Sequence, residues 1–128
     1  MNYLFIKSSA KLTSRHFDDE CATFYRCILD KWPETSDGKV VITSGWRAPK
    51  RETQTFHDKC RAWDVRTHNI RVKHSDLGAR KTFLLNLAQR MKRRLGSDWD
   101  VAHHPELANT DSEHLHFELD EHKGDHHG

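Results

Sequence analysis

The chain has little of what would place it in a membrane, a disulfide scaffold or a nucleic-acid complex. Its 128 residues include three cysteines, Cys21, Cys27 and Cys60, with no CxxC spacing, so at least one stays unpaired. This usage favours a reduced compartment over a disulfide framework. No apolar run approaches the roughly 20 residues of a transmembrane helix. The formal net charge of +2 is too small to argue for nucleic acid. We therefore expect no membrane insertion and no nucleic-acid partner.

The amino-terminal stretch "MNYLFIKSSAKL" also lacks the plan of a signal peptide, which needs a basic start, an apolar segment and a cleavage site. We therefore expect the protein to stay in the cytoplasm until another agent releases it. The length fits one domain. We predict a single domain over residues 1–120, a polar histidine-rich tail over 121–128, and a monomer.

The spacing of apolar residues predicts alternating helices and strands, and hence an α+β fold. One helix is predicted over about residues 14–31, and a second runs from its cap at Ser75 to Gly96. Residues 46–60 have no clear period and are predicted as a long loop. Strands are predicted in "VVITSG", "RAWDVRT", "NIRVKH", "WDVAHH" and "EHLHFELD", with the second and third forming a hairpin. These elements predict a small, mainly antiparallel sheet with two main helices.

Histidine is abundant, with 11 in the chain, and the last predicted strand carries two of them on one face. In "HLHFEL" every second residue is apolar, and the residues between are His114, His116 and Glu118. One face of this strand therefore belongs to the core, while the other presents two imidazoles and a carboxylate. A solvated sheet surface is the alternative interpretation of that polar face.

The segment "TFHDKCRAWD" adds a histidine and an aspartate seven positions apart, His57 and Asp64. Both side chains reach one point only if the backbone folds between them, because neither a straight helix nor an unbroken strand brings them together. Two imidazoles and one carboxylate form a common catalytic zinc set, whereas structural zinc more often uses cysteines. The histidines and the aspartate therefore predict a Zn²⁺ cofactor.

Three motifs, "SGWRAP" (44–49), "TFHDKCRAWD" (55–64) and "EHLHFE" (113–118), resemble in this order those of a known peptidase family. It is the zinc D-alanyl-D-alanine carboxypeptidase and endopeptidase family, which includes phage L-alanyl-D-glutamate endolysins. Its first metal motif, SxHxxGxAxD, is matched at Thr55, His57, Ala62 and Asp64, with Cys60 at the glycine position. The resemblance covers roughly residues 40–120 and implies a Hedgehog/DD-peptidase-like fold.

The resemblance also implies roles for individual residues. Zinc would be held by His57, Asp64 and His116, and it would lower the pKa of a bound water from about 15.7 toward about 7. Glu113, three residues before His116, is implied as the general base, and Arg47 as the group that stabilises the oxyanion or holds a substrate carboxylate.

A second register of the last motif stays open, with Asp111 and His114 in place of Glu113 and His116. Four residues are predicted to contact substrate. They are Ser44, Trp46, Trp63 and His103, and for the two tryptophans packing in the core is an equal alternative.

The predicted function is zinc-dependent cleavage of peptidoglycan stem peptides or cross-bridges. We expect a phage-type endolysin, either an L-alanyl-D-glutamate endopeptidase or a D,D-carboxypeptidase, that waits in the host cytoplasm. A family-like domain without catalysis, serving in structure or cell-wall binding, is one alternative, suggested by Cys60. A nucleic-acid-binding module is another, suggested by the basic turn in "QRMKRRLG" (89–96), although basic residues at a helix end also complement its dipole.

Overall fold

The computed structural model describes residues 2–45, 61–72 and 74–119. Its strands are β1 (Tyr3–Ile6), β2 (Lys39–Ser44), β3 (Arg61–Arg66), β4 (Trp99–His103) and β5 (His114–Leu119). Its helices are α1 (Ala22–Lys31) and α2 (Leu77–Leu95), with short 3-10 turns at Ser8–Ala10, Ser14–Phe17, Asp19–Cys21 and Pro105–Leu107. The predicted α+β class with two main helices is confirmed.

The five strands form one sheet in the order β1-β2-β3-β5-β4. Strands β1 and β2 run parallel, and every other neighbouring pair is antiparallel. The mainly antiparallel sheet is therefore confirmed. Strand β3 occupies its centre, so that Asp64 has Ser44 of β2 as its partner on one side and His116 of β5 on the other.

Both helices pack on one face of this sheet. Phe24 of α1 stacks on Trp63 and Trp99, with ring centroids 4.4 and 5.7 Å apart. Helix α2 adds the buried Leu87 and Met91 to the same core. Burial of each such side chain contributes about 1.5–3 kcal/mol. The apolar residues of β3 and β5 therefore face the helices, and the alternate residues face away from them.

Helix α1 begins later than predicted, at Ala22, and residues 14–21 form two 3-10 turns instead. Between these turns Asp18 has an extended backbone, with φ −62° and ψ 161°. Arg61 donates to the carboxylates of Asp18 and Glu20 at 3.1 and 2.6 Å. This contact from a distant strand accompanies the break in the helix at Asp18. The spacing of apolar residues near Asp18 does not report such a contact.

The predicted hairpin of "RAWDVRT" with "NIRVKH" is wrong. Among the described residues of the second segment, only Ile70 forms a bridge, an isolated one with Thr35. Strand β3 has β2 on one side and β5 on the other, so neither of its edges is open to the second segment. Arg80 also donates to the carbonyls of Thr67 at 2.9 Å and Val72 at 2.8 Å.

Two further details of the prediction change. Helix α2 is capped by Asp76 rather than Ser75, since the Gly78 N–H donates to the Asp76 carboxylate at 2.9 Å. Strand β1 was not predicted. Within the described residues, neither helix is long and apolar enough to cross a bilayer. The predicted tail, residues 121–128, and the loop over 46–60 lie outside the described residues.

Candidate metal-binding site

The face of the sheet opposite the helices carries a set of polar residues on β3 and β5. Asp64 pairs with His116, Arg66 with His114, and Ala62 with Glu118. Directly opposed residues on neighbouring strands point to the same face. The two strands therefore bring Asp64 together with the alternate polar residues of "HLHFEL".

Three of these side chains form a continuous line, called here the Asp64–His116–Glu118 row. His116 Nδ1 lies 2.6 Å from Asp64 Oδ1, and His116 Nε2 lies 2.7 Å from Glu118 Oε1. The side chains of Asp64 and His116 are only 7% and 14% exposed. Both nitrogens of a largely buried imidazole thus face carboxylate oxygens, an arrangement in which the charged ring donates twice.

Burial disfavours the charged form of His116, but the hydrogen bonds to Asp64 and Glu118 outweigh burial and raise its pKa to about 9. At neutral pH a proton therefore sits between His116 Nδ1 and Asp64 Oδ1. A metal ligand has to be the neutral imidazole, so an ion held here would displace that proton.

His114 lies beside the row and makes different contacts. Its Nδ1–H donates to the carbonyl of Ser112 at 2.8 Å, and its Nε2 is 3.9 Å from Asp64 Oδ1. The ring of His104 lies 5.0 Å from the His114 ring, measured between centroids. His116 is thus the histidine in direct contact with Asp64, and this geometry favours it over His114 as the second ligand in the described structure.

Glu113, the predicted general base, is buried in a second cluster, called here the Arg80–Glu113 anchor. Its side chain and that of Arg80 are 1% and 2% exposed. Glu113 Oε1 accepts from Arg80 at 2.5 Å and from the Thr67 hydroxyl at 2.7 Å. Glu113 Oε2 accepts from Arg80 Nε at 3.0 Å and from the backbone N–H of Asn109 at 2.7 Å. These contacts use about all the lone pairs of a carboxylate.

Burial raises the pKa of Glu113, but the hydrogen bonds from Arg80, the Asn109 N–H and Thr67 bring it below its ordinary value. A carboxylate held in this way is a weak proton acceptor, and one of its hydrogen bonds has to open before it takes a proton from water. The general-base role of Glu113 stays a prediction. Asp111, the alternative base, is fully exposed and lies 3.3 Å from Nε2 of His68.

The structure brings some of the predicted substrate residues to the row and separates others from it. Ser44 lies opposite Asp64 across the β2–β3 pair. Trp63 is 0% exposed and packs in the core, which is the alternative left open for it. His103 pairs with Leu115, whose side chain belongs to the core, so its side chain lies on the helix-covered face, away from Asp64.

Four predicted residues, Trp46, Arg47, His57 and Cys60, lie outside the described residues. Within residues 2–45, 61–72 and 74–119, no group of three or more histidine, cysteine, aspartate or glutamate side chains is arranged to hold a metal ion. Two of the three predicted ligands, Asp64 and His116, do converge. An imidazole nitrogen beside a carboxylate oxygen is a donor pair that suits zinc.

Arg80 was not predicted as part of the site, although its position carries a signal. It stands three residues after Leu77 and four before Leu84, within the apolar stripe of α2. A charged residue at such a position is buried only with a partner of opposite charge. The stripe could therefore have indicated a buried ion pair, although not that Glu113 would supply the carboxylate.

Comparisons of the chain with protein-family models, with curated proteins and with solved structures found no match in any of the three. What the protein does is therefore inferred from the residues of the row, from the anchor beside it and from the three sequence motifs.

Proposed function

We propose that the protein is a zinc-dependent peptidase with a Hedgehog/DD-peptidase-like fold that cleaves peptide bonds in bacterial peptidoglycan. The observation that carries the proposal is the approach of Asp64 Oδ1 and His116 Nδ1 to 2.6 Å on neighbouring strands of the sheet. These are two of the three ligands implied by the resemblance of the motifs. The order of "SGWRAP", "TFHDKCRAWD" and "EHLHFE" supports the same family.

In this proposal His57, Asp64 and His116 hold the zinc. When bound, zinc supplies a Lewis acid that polarises the scissile carbonyl and acidifies a water molecule. The remaining work falls to the chain's own side chains. Glu118 holds His116 Nε2 at 2.7 Å and so aims Nδ1 at Asp64, as the outer partner of a ligating histidine does. Arg47 stabilises the oxyanion or holds a substrate carboxylate.

Hydrolysis also needs a proton acceptor, and Glu113 is the proposed one. Its four hydrogen bonds and lowered pKa favour a second candidate function, a family-like domain that binds zinc and cell-wall peptides without cleaving them. The two candidates share the metal site and differ only in turnover. A single digestion therefore separates them.

The proposed substrates are the stem peptides or cross-bridges of peptidoglycan, cut at the L-alanyl-D-glutamate bond or at a D-alanyl terminus. A phage-type endolysin, monomeric and held in the host cytoplasm until it reaches the wall, is the setting we propose. Lys92, in the basic turn of α2, does not support the nucleic-acid alternative, because its side chain donates to the carbonyl of Trp99 at 2.5 Å.

The test digests purified peptidoglycan with the zinc-loaded protein and identifies the new amino and carboxyl termini by mass spectrometry. Cleavage at one of the two bonds supports the peptidase. Bound zinc without new termini supports the non-cleaving domain and contradicts the peptidase.

Metal content after gel filtration tests the site itself. Wild type should carry about one zinc, as expected for a set of three protein ligands. His116→Ala should lose it, because two remaining protein ligands rarely hold zinc. His122→Ala, in the histidine-rich tail, is the matched control and should keep it. If His116→Ala retained the metal, the Asp64–His116–Glu118 row would not be the zinc site.

A further inference from the structure

A cavity of about 290 Å³ opens beside Asp64 on the face away from the helices. Arg66, the last residue of β3, lines it two positions after Asp64, and Lys7, just after β1, lines it from the far side of β2. The other charged residues of its lining are Asp64, Asp111, Glu113 and, when protonated, His114. The cavity is therefore polar and adjoins the row.

The carboxylates of this lining each lie against a basic group. The contacts are Asp64 with His116 at 2.6 Å, Asp111 with His68 at 3.3 Å, and Glu113 with Arg80 at 2.5 Å. The charges of the two buried carboxylates, Asp64 and Glu113, are thus already met by partners from the chain, and Asp111 is fully exposed to water.

The two cations of the lining differ from the carboxylates. Neither Lys7 nor Arg66 forms an ion pair within the described ranges 2–45, 61–72 and 74–119. Arg66 is also half-buried, in the wall of the cavity. A half-buried arginine without a counter-charge is less favourable than a paired one, and an anion that enters the cavity would supply that charge.

We propose that Arg66, assisted by Lys7, binds a carboxylate of the substrate next to the Asp64–His116–Glu118 row. This deepens the proposed function and rests on it. Asp64 and Arg66 share one face of β3, where residues two apart are separated by roughly 6.6 Å. A peptide whose scissile carbonyl lies at Asp64 and His116 places the next carboxyl carbon up to about 4 Å away, since consecutive backbone positions are about 3.8 Å apart. The long side chain of Arg66 can span the rest of the roughly 6.6 Å.

The chemistry of peptidoglycan identifies which carboxylate this is. In a D-alanyl-D-alanine terminus, the leaving residue carries a free α-carboxylate on the carbon attached to the scissile nitrogen. In the L-alanyl-D-glutamate link, the stem continues through the γ-carboxyl of glutamate, so its α-carboxylate is also free. Both candidate bonds thus present the same group at the same place. The rigid fork of a guanidinium matches it with two parallel hydrogen bonds.

The experiment compares acid and amide probes. One pair is N-acetyl-L-lysyl-D-alanyl-D-alanine and its C-terminal amide. The other is the γ-methylamide of N-acetyl-L-alanyl-D-glutamate with its α-carboxyl free or amidated. Zinc-loaded wild type should cleave one acid probe with kcat/KM about 10- to 100-fold above its amide, the usual effect of a hydrogen bond to a charged group.

Arg66→Gln should bring that acid-to-amide ratio close to one, mainly through KM, and Arg66→Lys should keep part of it. Arg90→Gln removes the same charge from an exposed position on α2 and should leave the ratio unchanged. Each ratio is taken within one protein sample, so a reduced folded fraction does not alter it. An Arg66→Gln variant with the wild-type ratio overturns the carboxylate site.

Failure of the proposed function is distinguishable from failure of this site. If wild type cleaves none of the probes, the peptidase proposal fails, and the four probes are then titrated into the zinc-free protein by calorimetry. Tighter binding of an acid than of its amide, lost in Arg66→Gln and kept in Arg90→Gln, supports the carboxylate site on its own. Equal binding of acid and amide, including undetectable binding of both, overturns it.

Discussion

The Arg80–Glu113 anchor and the Asp64–His116–Glu118 row both bury carboxylates against cations, and they differ in which cation each one uses. Arg80 cannot lose its charge in a protein, and Glu113 meets it with both members almost fully buried. His116 can lose its proton, and its side chain and that of Glu118 stay 14% and 19% exposed. The anchor therefore keeps one charge state, whereas the row loses its proton when the pH rises through about 9 or when a metal ion displaces it.

That difference assigns the clusters to different tasks. The anchor ties three segments of the chain together, because Arg80 of α2 also donates to the carbonyls of Thr67 and Val72. It fixes the chain at Glu113, just before β5, and at Thr67, just after β3. The row, whose imidazole proton can be exchanged for another cation, is suited to bind. We therefore expect a substitution in the anchor to lower the stability of the fold, and a substitution in the row to change the affinity for zinc.

The largest effect is expected from Glu113→Gln. The substitution leaves the guanidinium of Arg80 buried without its counter-charge, and breaking a buried ion pair in this way costs about 3–5 kcal/mol. Denaturant unfolding followed by circular dichroism measures the loss. Glu106→Gln is the matched control, since the side chain of Glu106 is 67% exposed.

The double variant Arg80→Met with Glu113→Leu should recover only part of that stability. The apolar pair needs no counter-charge, but it leaves the carbonyls of Thr67 and Val72 and the N–H of Asn109 without their side-chain partners. A loss below about 1 kcal/mol in Glu113→Gln would mean that the anchor is not structural. In that case a fall in peptidase activity in the same variant would report on the general base alone.

The parts of the fold that follow from local patterns were predictable. Strand β5 alternates apolar and polar residues, β2 is a β-branched run, and α2 has an apolar stripe closed by Gly96. Strand β1 was not, because Tyr3–Ile6 shows no alternation and pairs with a strand some 36 positions further along the chain. The start of α1 was not predictable either, since Arg61 holds Asp18 from β3.

The same division holds for the site. The alternation of "HLHFEL" predicts that His116 and Glu118 share a face with one another, but the register that sets His116 beside Asp64 is a pairing across 52 positions. Sequence spacing also placed Glu113 three residues before His116 without indicating that Arg80 would saturate its carboxylate. Long-range partners decide whether a carboxylate is free to react, and periodicity does not report them.

The next effect concerns the proton that the row holds. Since the pKa of His116 is raised to about 9, zinc has to displace a proton at neutral pH, and affinity should rise about tenfold for each unit between pH 6 and pH 8. Competition with a chelator measures this slope, and calorimetry in two buffers measures the released proton. A flat profile over this range would mean that His116 has an ordinary pKa.

The stability of the zinc-free protein should fall as the pH rises, whereas the zinc affinity should increase. A raised folded-state pKa stabilises the fold fully below the unfolded value of about 6.5, and this contribution is lost as the pH rises through about 9. The melting temperature of zinc-free wild type should therefore fall as the pH rises across that window. Zinc-loaded protein should not show the same fall, because its imidazole carries no proton to lose.

The smallest effect is expected from Glu118→Gln, which keeps the acceptor for His116 Nε2–H but removes its charge. Loss of an outer carboxylate typically weakens metal binding by about 10- to 100-fold, and the retained hydrogen bond places this variant near the lower figure. The same change lowers the pKa of His116, so zinc displaces the proton of His116 more easily at neutral pH.

At pH 7 this easier proton loss offsets part of the weaker binding. Above pH 9 the proton is already gone, and only the weaker binding remains. Zinc affinity should thus fall less at pH 7 than at pH 9.5, whereas Glu106→Gln should match wild type at both. An equal loss at the two pH values would show that Glu118 acts on the site by some route other than the charge it shares with His116.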